Sequence, residues 1–147
     1  MADLDGQGAW DRLDPSGLRH RLRGLPQQCQ AGWLQGSALQ PPDGWMAGEV
    51  NKVVLCGMGG SAIAGNLISD LLGAGPSHPR PKPPLIVVRG MEFPFFLDRS
   101  ALVIPCSFSG ETGETISLFH QALDAGAQLM VMAGGGRLAQ EASDRGL

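Results

Sequence analysis

The chain has 147 residues, 43% of them hydrophobic and 17% charged, with a formal net charge of −3. That length supports one domain with a real core and is short for two. The acidic balance argues against nucleic acid as the main partner, because a binder of phosphate backbones needs a basic face, and no apolar run approaches the ~18 residues of a membrane span.

Residues 1–13 read as frayed or loosely docked, and the stretch from Met1 to Gly8 holds no apolar signal region. Asp14-Pro15-Ser16 offers a helix start, with Leu18, Leu22 and Leu25 at helical spacing behind it. The basic cluster Arg19, His20, Arg21 and Arg23 reads as a solvated helix face. Pro26 ends that helix and begins another, with Cys29, Trp33 and Leu34 on one face. Gly36 and Pro41-Pro42-Asp43-Gly44 stop it. Residues 1–45 therefore form a helical arm without recognisable chemistry, and 46–147 form the main domain.

Lys52-Val53-Val54-Leu55-Cys56 is apolar enough for a strand covered on both faces. A helix at about 61–73 follows, with Ile63, Leu67, Leu71 and Leu72 as its inward stripe. Residues 76–84 contain five prolines and make a surface crossover loop, with His78 on it. Leu85-Ile86-Val87-Val88 is the second strand, and Pro94-Phe95-Phe96-Leu97 an apolar turn or short helix. Ala101 to Cys106 is the third strand, where Pro105 disfavours full pairing. A helix at about 112–125 turns Ile116, Phe119 and Leu123 inward, with His120 flanking that face, and Gly126 ends it. Residues 128–133 form the fourth strand, Met130 and Met132 belonging to the core. Gly134-Gly135-Gly136 leads into a last helix at about 137–145, with Arg137 near its start. Strands alternating with helices predict an α/β fold: a doubly wound parallel sheet of four to five strands with right-handed crossovers. Chain termination at Gly146-Leu147, where another strand is due, predicts a piece of a longer protein.

Cys29, Cys56 and Cys106 are an odd count without metal-type spacing. Cys56 and Cys106 each close an apolar run, which predicts reduced, buried thiols and a cytoplasmic chain. Neither a metal nor a cofactor is expected.

Two strand exits carry the chemistry. After the first strand come Gly57-Met58-Gly59-Gly60-Ser61-Ala62, and after the third Ser107-Phe108-Ser109-Gly110-Glu111-Thr112. In a parallel sheet both lie at the carboxyl edge, where ligands bind. Gly59 and Gly60 let backbone approach an anion closely. Ser61 adds a hydroxyl at a helix start, where free amides and the dipole favour negative charge. Ser107, Ser109 and Thr112 repeat the arrangement, with Gly110 relaxing the turn between them. Caps of this composition also occur for structural reasons alone, but two on neighbouring strands make an anion pocket. A dinucleotide fingerprint fits the first turn only loosely, since its acidic residue about 20 positions on is missing. The Lys-Ser or Lys-Thr pair of a nucleotide P-loop is missing too.

These two turns together resemble the sugar-isomerase (SIS) domain, and most closely the first domain of bifunctional phosphoglucose/phosphomannose isomerases. Gly135-Gly136-Arg137-Leu138-Ala139-Gln140 is similar to the same subfamily, so the resemblance covers about 50–142. It implies a substrate phosphate held by Gly59, Gly60, Ser61, Ser107, Ser109, Gly110 and Thr112. Arg137, which opens a helix at the same sheet edge, is a further candidate contact to ligand or neighbouring subunit, the alternative being a structural surface residue. The resemblance also implies aldose–ketose isomerisation of glucose 6-phosphate or mannose 6-phosphate and fructose 6-phosphate, by a homodimer. The general base and ring-opening group are then expected beyond residue 147, leaving this chain inactive by itself. The alternatives are a non-catalytic SIS module that senses a sugar phosphate and a dinucleotide-binding oxidoreductase domain. One departure is local: many members have Asn where this chain has Glu111. A carboxylate there is expected to cap a helix N-terminus or face solvent. That reading covers Glu114 as well and leaves no need for either as the base. His120 is a weaker candidate still.

Overall fold

The computed structural model describes residues 8, 12–40, 50–73 and 83–147. The loose N-terminus, the stop at Pro41–Gly44 and most of the proline-rich crossover with His78 fall outside them. The chain divides into two compact units, Met1–Trp45 and Met46–Leu147.

In the first unit, α1 (Leu18–Arg23) and α2 (Leu25–Ala38) follow one another. The Asp14 carboxylate accepts the Leu18 and Arg19 amides at 2.7 Å each, so it satisfies donors that the first turn of α1 leaves free. These two bonds hold its carboxyl below the usual carboxylate range. The break between the helices falls at Gly24, with Pro26 in the first turn of α2, where a missing N–H costs nothing. Helix α2 runs two residues past Gly36. Leu18, Leu22, Leu25, Trp33 and Leu34 are all more than half exposed.

The second unit is a parallel sheet with helices. In chain order it contains β1 (Lys52–Cys56), α3 (Gly59–Gly73), β2 (Leu85–Val88), β3 (Ala101–Ser107), α4 (Gly113–Asp124), β4 (Gln128–Leu129), β5 (Met132–Ala133) and α5 (Gly136–Ser143). The sheet order is β2-β1-β3-β4, with β5 continuing beside β3, and every pairing is parallel. The architecture is therefore the doubly wound α/β fold. Pro94–Leu97 forms no helix.

The fourth strand is broken into β4 and β5 for a local reason. Met130 N donates to Val103 O at 3.1 Å, which directs the odd-numbered residues of β3 toward that neighbour. Two residues on, the ladder needs an N–H from position 105, and proline has none. Pairing resumes at Cys106↔Met132. Met130 is half-buried, but Met132 is 49% exposed, because the interrupted strand lies at the sheet edge. Its expected place in the core does not hold.

The main core lies between the sheet and α4 and α5. Val54, Cys56, Val88 and Val103 meet Leu118, Phe119 and Leu138 there. The opposite face is covered differently from expectation. Ile63, Leu67, Leu71 and Leu72 of α3 are 39–75% exposed, and the buried residues of that helix are Ala62 and Gly65. A Cβ on Gly65 would lie 2.9 Å from Val87 Cγ2 and 3.2 Å from both Leu55 methyls. The helix thus sits so close to the sheet that only small residues fit, and its large residues turn outward.

Candidate functional site

Strand order creates the site. From β1 the chain winds outward to β2, then crosses back to β3 and winds the other way. The reversal lies between β1 and β3, and such a switch point opens a crevice beyond the carboxyl ends of its strands. The two strand exits named above leave from there. The register pairs Cys56 with Pro105, and a Cβ on Gly57 would stand 3.0 Å from Cys106 O, so the turns begin in contact.

The first turn passes directly into α3. Gly59 takes φ 50°, and Ser61 N closes a tight first bond to Met58 O at 3.1 Å. Gly59 and Gly60 are exposed and Ser61 is half-buried. The opening of a 15-residue helix therefore faces the crevice with almost no side-chain bulk.

The second turn is held by its own hydroxyls. Ser107, 2% exposed, accepts the Gly110 amide at 3.1 Å and shares a 2.9 Å bond with Thr112 Oγ1. It lies beneath the turn and supports it. When Ser107 donates to Thr112, the Thr112 proton is left to point elsewhere. Ser109 is exposed and accepts the Glu111 amide at 3.2 Å, which keeps its own proton available. Thr112 is the N-cap of α4.

The segment 134–138 packs against this turn. Gly134 N donates to Phe108 O at 3.2 Å and Leu138 N to Gly110 O at 3.0 Å. Glu111 Oε1 accepts the Arg137 amide at 2.8 Å. Glu111 does cap a helix N-terminus, and the helix is α5 rather than the adjoining α4.

The Arg137 side chain turns along its own helix to Glu141, 2.6 Å away. Glu141 also accepts from His120 Nε2 at 2.7 Å, and Arg145 lies 3.7 Å off. This cluster joins α4 to α5, and the sequence reading missed it. Arg137 and Arg145 stand four residues either side of Glu141, a spacing that could have flagged it. His120, and next Arg137, pull the Glu141 carboxyl from 4.5 down to about 2. The folded pKa is the lower one, so the stabilisation is complete above about 4.5 and is lost as pH falls toward about 2. Glu141→Gln should flatten the pH dependence of the urea midpoint within that window; an unchanged profile would count against the cluster.

All three cysteines are free. Cys56 is buried, Cys106 half-buried and Cys29 exposed, and burial pushes the Cys56 thiol up to about 12. Among the described residues no group of His, Cys, Asp and Glu could hold a metal, and no helix is long and apolar enough to cross a membrane.

No family model matches the chain. It is 35% identical over 122 residues to a bifunctional phosphoglucose/phosphomannose isomerase from Caldicellulosiruptor bescii, which covers 83% of this chain and 34% of that protein. Proteins of the same name from Aquifex aeolicus and Thermoplasma acidophilum are 37% and 34% identical over 94 and 97 residues, 28% and 29% of their lengths. A solved Bacillus subtilis structure described as a phosphosugar isomerase superposes with a TM-score of 0.49 at 27% identity, covering 63% of this chain and 29% of that one. A match of 122 residues in a chain of 147 contains positions 26–122 wherever it begins, so both turns lie inside it. The chain spans about a third of the length of these curated relatives, and over that shared part it is similar to the bifunctional phosphoglucose/phosphomannose isomerases.

Proposed function

We propose that this chain binds a sugar phosphate at the β1–β3 switch point and forms the phosphate half of an aldose–ketose isomerase site. The substrates in this reading are glucose 6-phosphate or mannose 6-phosphate and fructose 6-phosphate, as the resemblance of the turns implies, and the phosphoglucose/phosphomannose isomerase names of the relatives support the aldose side of that pair. The observation that carries the reading is the contact of the two turns at the crevice, one lacking bulk and the other lined with hydroxyls. Gly59, Gly60 and Ser61 offer a helix terminus to the phosphate, and Ser109 and Thr112 offer hydroxyls. Ser107 and Gly110 hold the second turn in shape. Glu111 is engaged by the Arg137 amide, so proton transfer between C1 and C2 is assigned to groups outside these turns. The second unit carries the site in this reading, the parent enzyme is a cytoplasmic homodimer, and the helical unit takes no part in the chemistry.

Calorimetric titration tests the reading. Fructose 6-phosphate or glucose 6-phosphate should bind, while the unphosphorylated sugars and NAD should not. Absence of binding by any sugar phosphate would sink it. Ser109→Ala should weaken fructose 6-phosphate binding at least about tenfold, since a hydrogen bond to a charged group is worth about 1.5–3 kcal/mol. Unchanged affinity would remove Ser109 from the site.

A further inference from the structure

We propose that Glu111 is a positioning residue for the phosphate turn: by capping α5 it fixes the backbone that presents Ser109 and Thr112 to the ligand. This rests on the sugar-phosphate reading above. The turn from Ser107 to Thr112 is fastened to segment 134–138 by three bonds. Two join backbone to backbone, from Gly134 to Phe108 and from Leu138 to Gly110. The third is the Glu111 carboxylate on the Arg137 amide at 2.8 Å, a charge-assisted bond at the positive end of a helix. It follows Ser109 by two residues and precedes Thr112 by one, so its pull acts directly on both.

The fit around that bond is close. A Cβ on Gly136 would lie 2.7 Å from Glu111 Oε1 and 2.2 Å from Ser109 O. A side-chain carbon at position 136 has no room between the turn and α5, so the two backbones meet closely beside the carboxylate. The Arg137 guanidinium is committed to Glu141 at 2.6 Å. Glu111 is therefore held by the backbone amide rather than by an ion pair, and any side chain that keeps an acceptor oxygen at that distance should serve. The carboxylate also fills the N-terminus of α5. A ligand phosphate at the same sheet edge is thereby left with the openings of α3 and α4.

The test compares Glu111→Ala and Glu111→Gln in the 147-residue chain, with the Arg137 amide followed by 15N NMR without ligand and fructose 6-phosphate affinity by calorimetry. Glu111→Ala should weaken binding about tenfold and shift the Arg137, Leu138 and Gly110 amides. Glu111→Gln retains the acceptor and should stay within about threefold of wild type in affinity. Equal binding by wild type and Glu111→Ala would overturn the proposal. So would Glu111→Gln binding as poorly as Glu111→Ala, since the charge and not the acceptor would then matter. If wild type binds no sugar phosphate, the functional reading falls and the positioning role with it. The Arg137 amide would then still decide whether the capping bond exists.

Discussion

Gly110→Ala is expected to destabilise the chain by about 3 kcal/mol or more, at the upper end of what single substitutions cost, because Gly110 is buried where the second turn meets segment 134–138. Gly110 takes φ 70°, a conformation that costs a residue with a Cβ about 1–2 kcal/mol. The larger effect is steric. The new Cβ would stand 1.8 Å from Gly135 O and 3.1 Å from Gly136 Cα, both backbone atoms that cannot rotate away. Relief requires the second turn and segment 134–138 to part, which breaks the Leu138–Gly110 and Arg137–Glu111 bonds together. Sugar-phosphate binding should fall with stability, because the turn that parts is the one proposed to hold the phosphate. Gly126→Ala is the control. Gly126 has φ 66° with open space around it, so it should cost only the backbone strain of about 1–2 kcal/mol. Urea unfolding of both variants decides the matter: equal losses would mean that close packing of the turn on α5 contributes nothing.

Phe119→Ala should cost about 3–5 kcal/mol, the range for emptying a buried aromatic site. Phe119 is fully buried and heads the largest buried side chains. It reaches the sheet from α4, and the Arg145 guanidinium after α5 lies 5.8 Å from its ring centre. Truncation therefore leaves a cavity under α4 and removes a contact that holds the end of α5. Phe108→Ala makes the comparison sharp. That ring is 89% exposed, and its loss should change stability by no more than about 0.5 kcal/mol. Denaturation midpoints that fail to separate these two variants would place the core elsewhere.

Much of the fold was legible because its signals are local. β1 and β2 are short apolar runs bounded by Gly, Pro or polar residues, and both have the boundaries expected of them. The two turns proposed to hold the phosphate were legible for the same reason, since small residues and hydroxyls within a few positions of a strand exit define them. Asp14-Pro15-Ser16 was legible as a helix start from its proline and capping oxygen; the helix itself begins at Leu18, and the Asp14 carboxylate serves amides four and five residues on. Even the weak point at Pro105 was visible, as a residue without an N–H.

Helix α3 shows where local signals stop. Its period was right, but the stripe at Ile63, Leu67 and Leu71 faces outward. Periodicity defines a face and not what lies against it, and here the approach of Leu55 and Val87 admits only Ala62 and Gly65. Glu111 was read as a helix cap, yet its partner is 26 residues away, on a helix whose position depends on the whole sheet. The His120–Glu141 bond spans 21 residues and joins two helices that only packing brings together.

The sequence by itself therefore determined the elements, the chemistry of both turns and the resemblance to sugar-phosphate isomerases, because turn chemistry and hydrophobic period act over a few residues. The two turns are expected on neighbouring strands, and the sheet order bears this out; tertiary structure alone decided that Ser107 lies beneath its turn while Ser109 stays exposed, and that Glu111 reaches α5. Those outcomes depend on strand order and on close approach between distant segments, which free-energy differences spread over the whole core select.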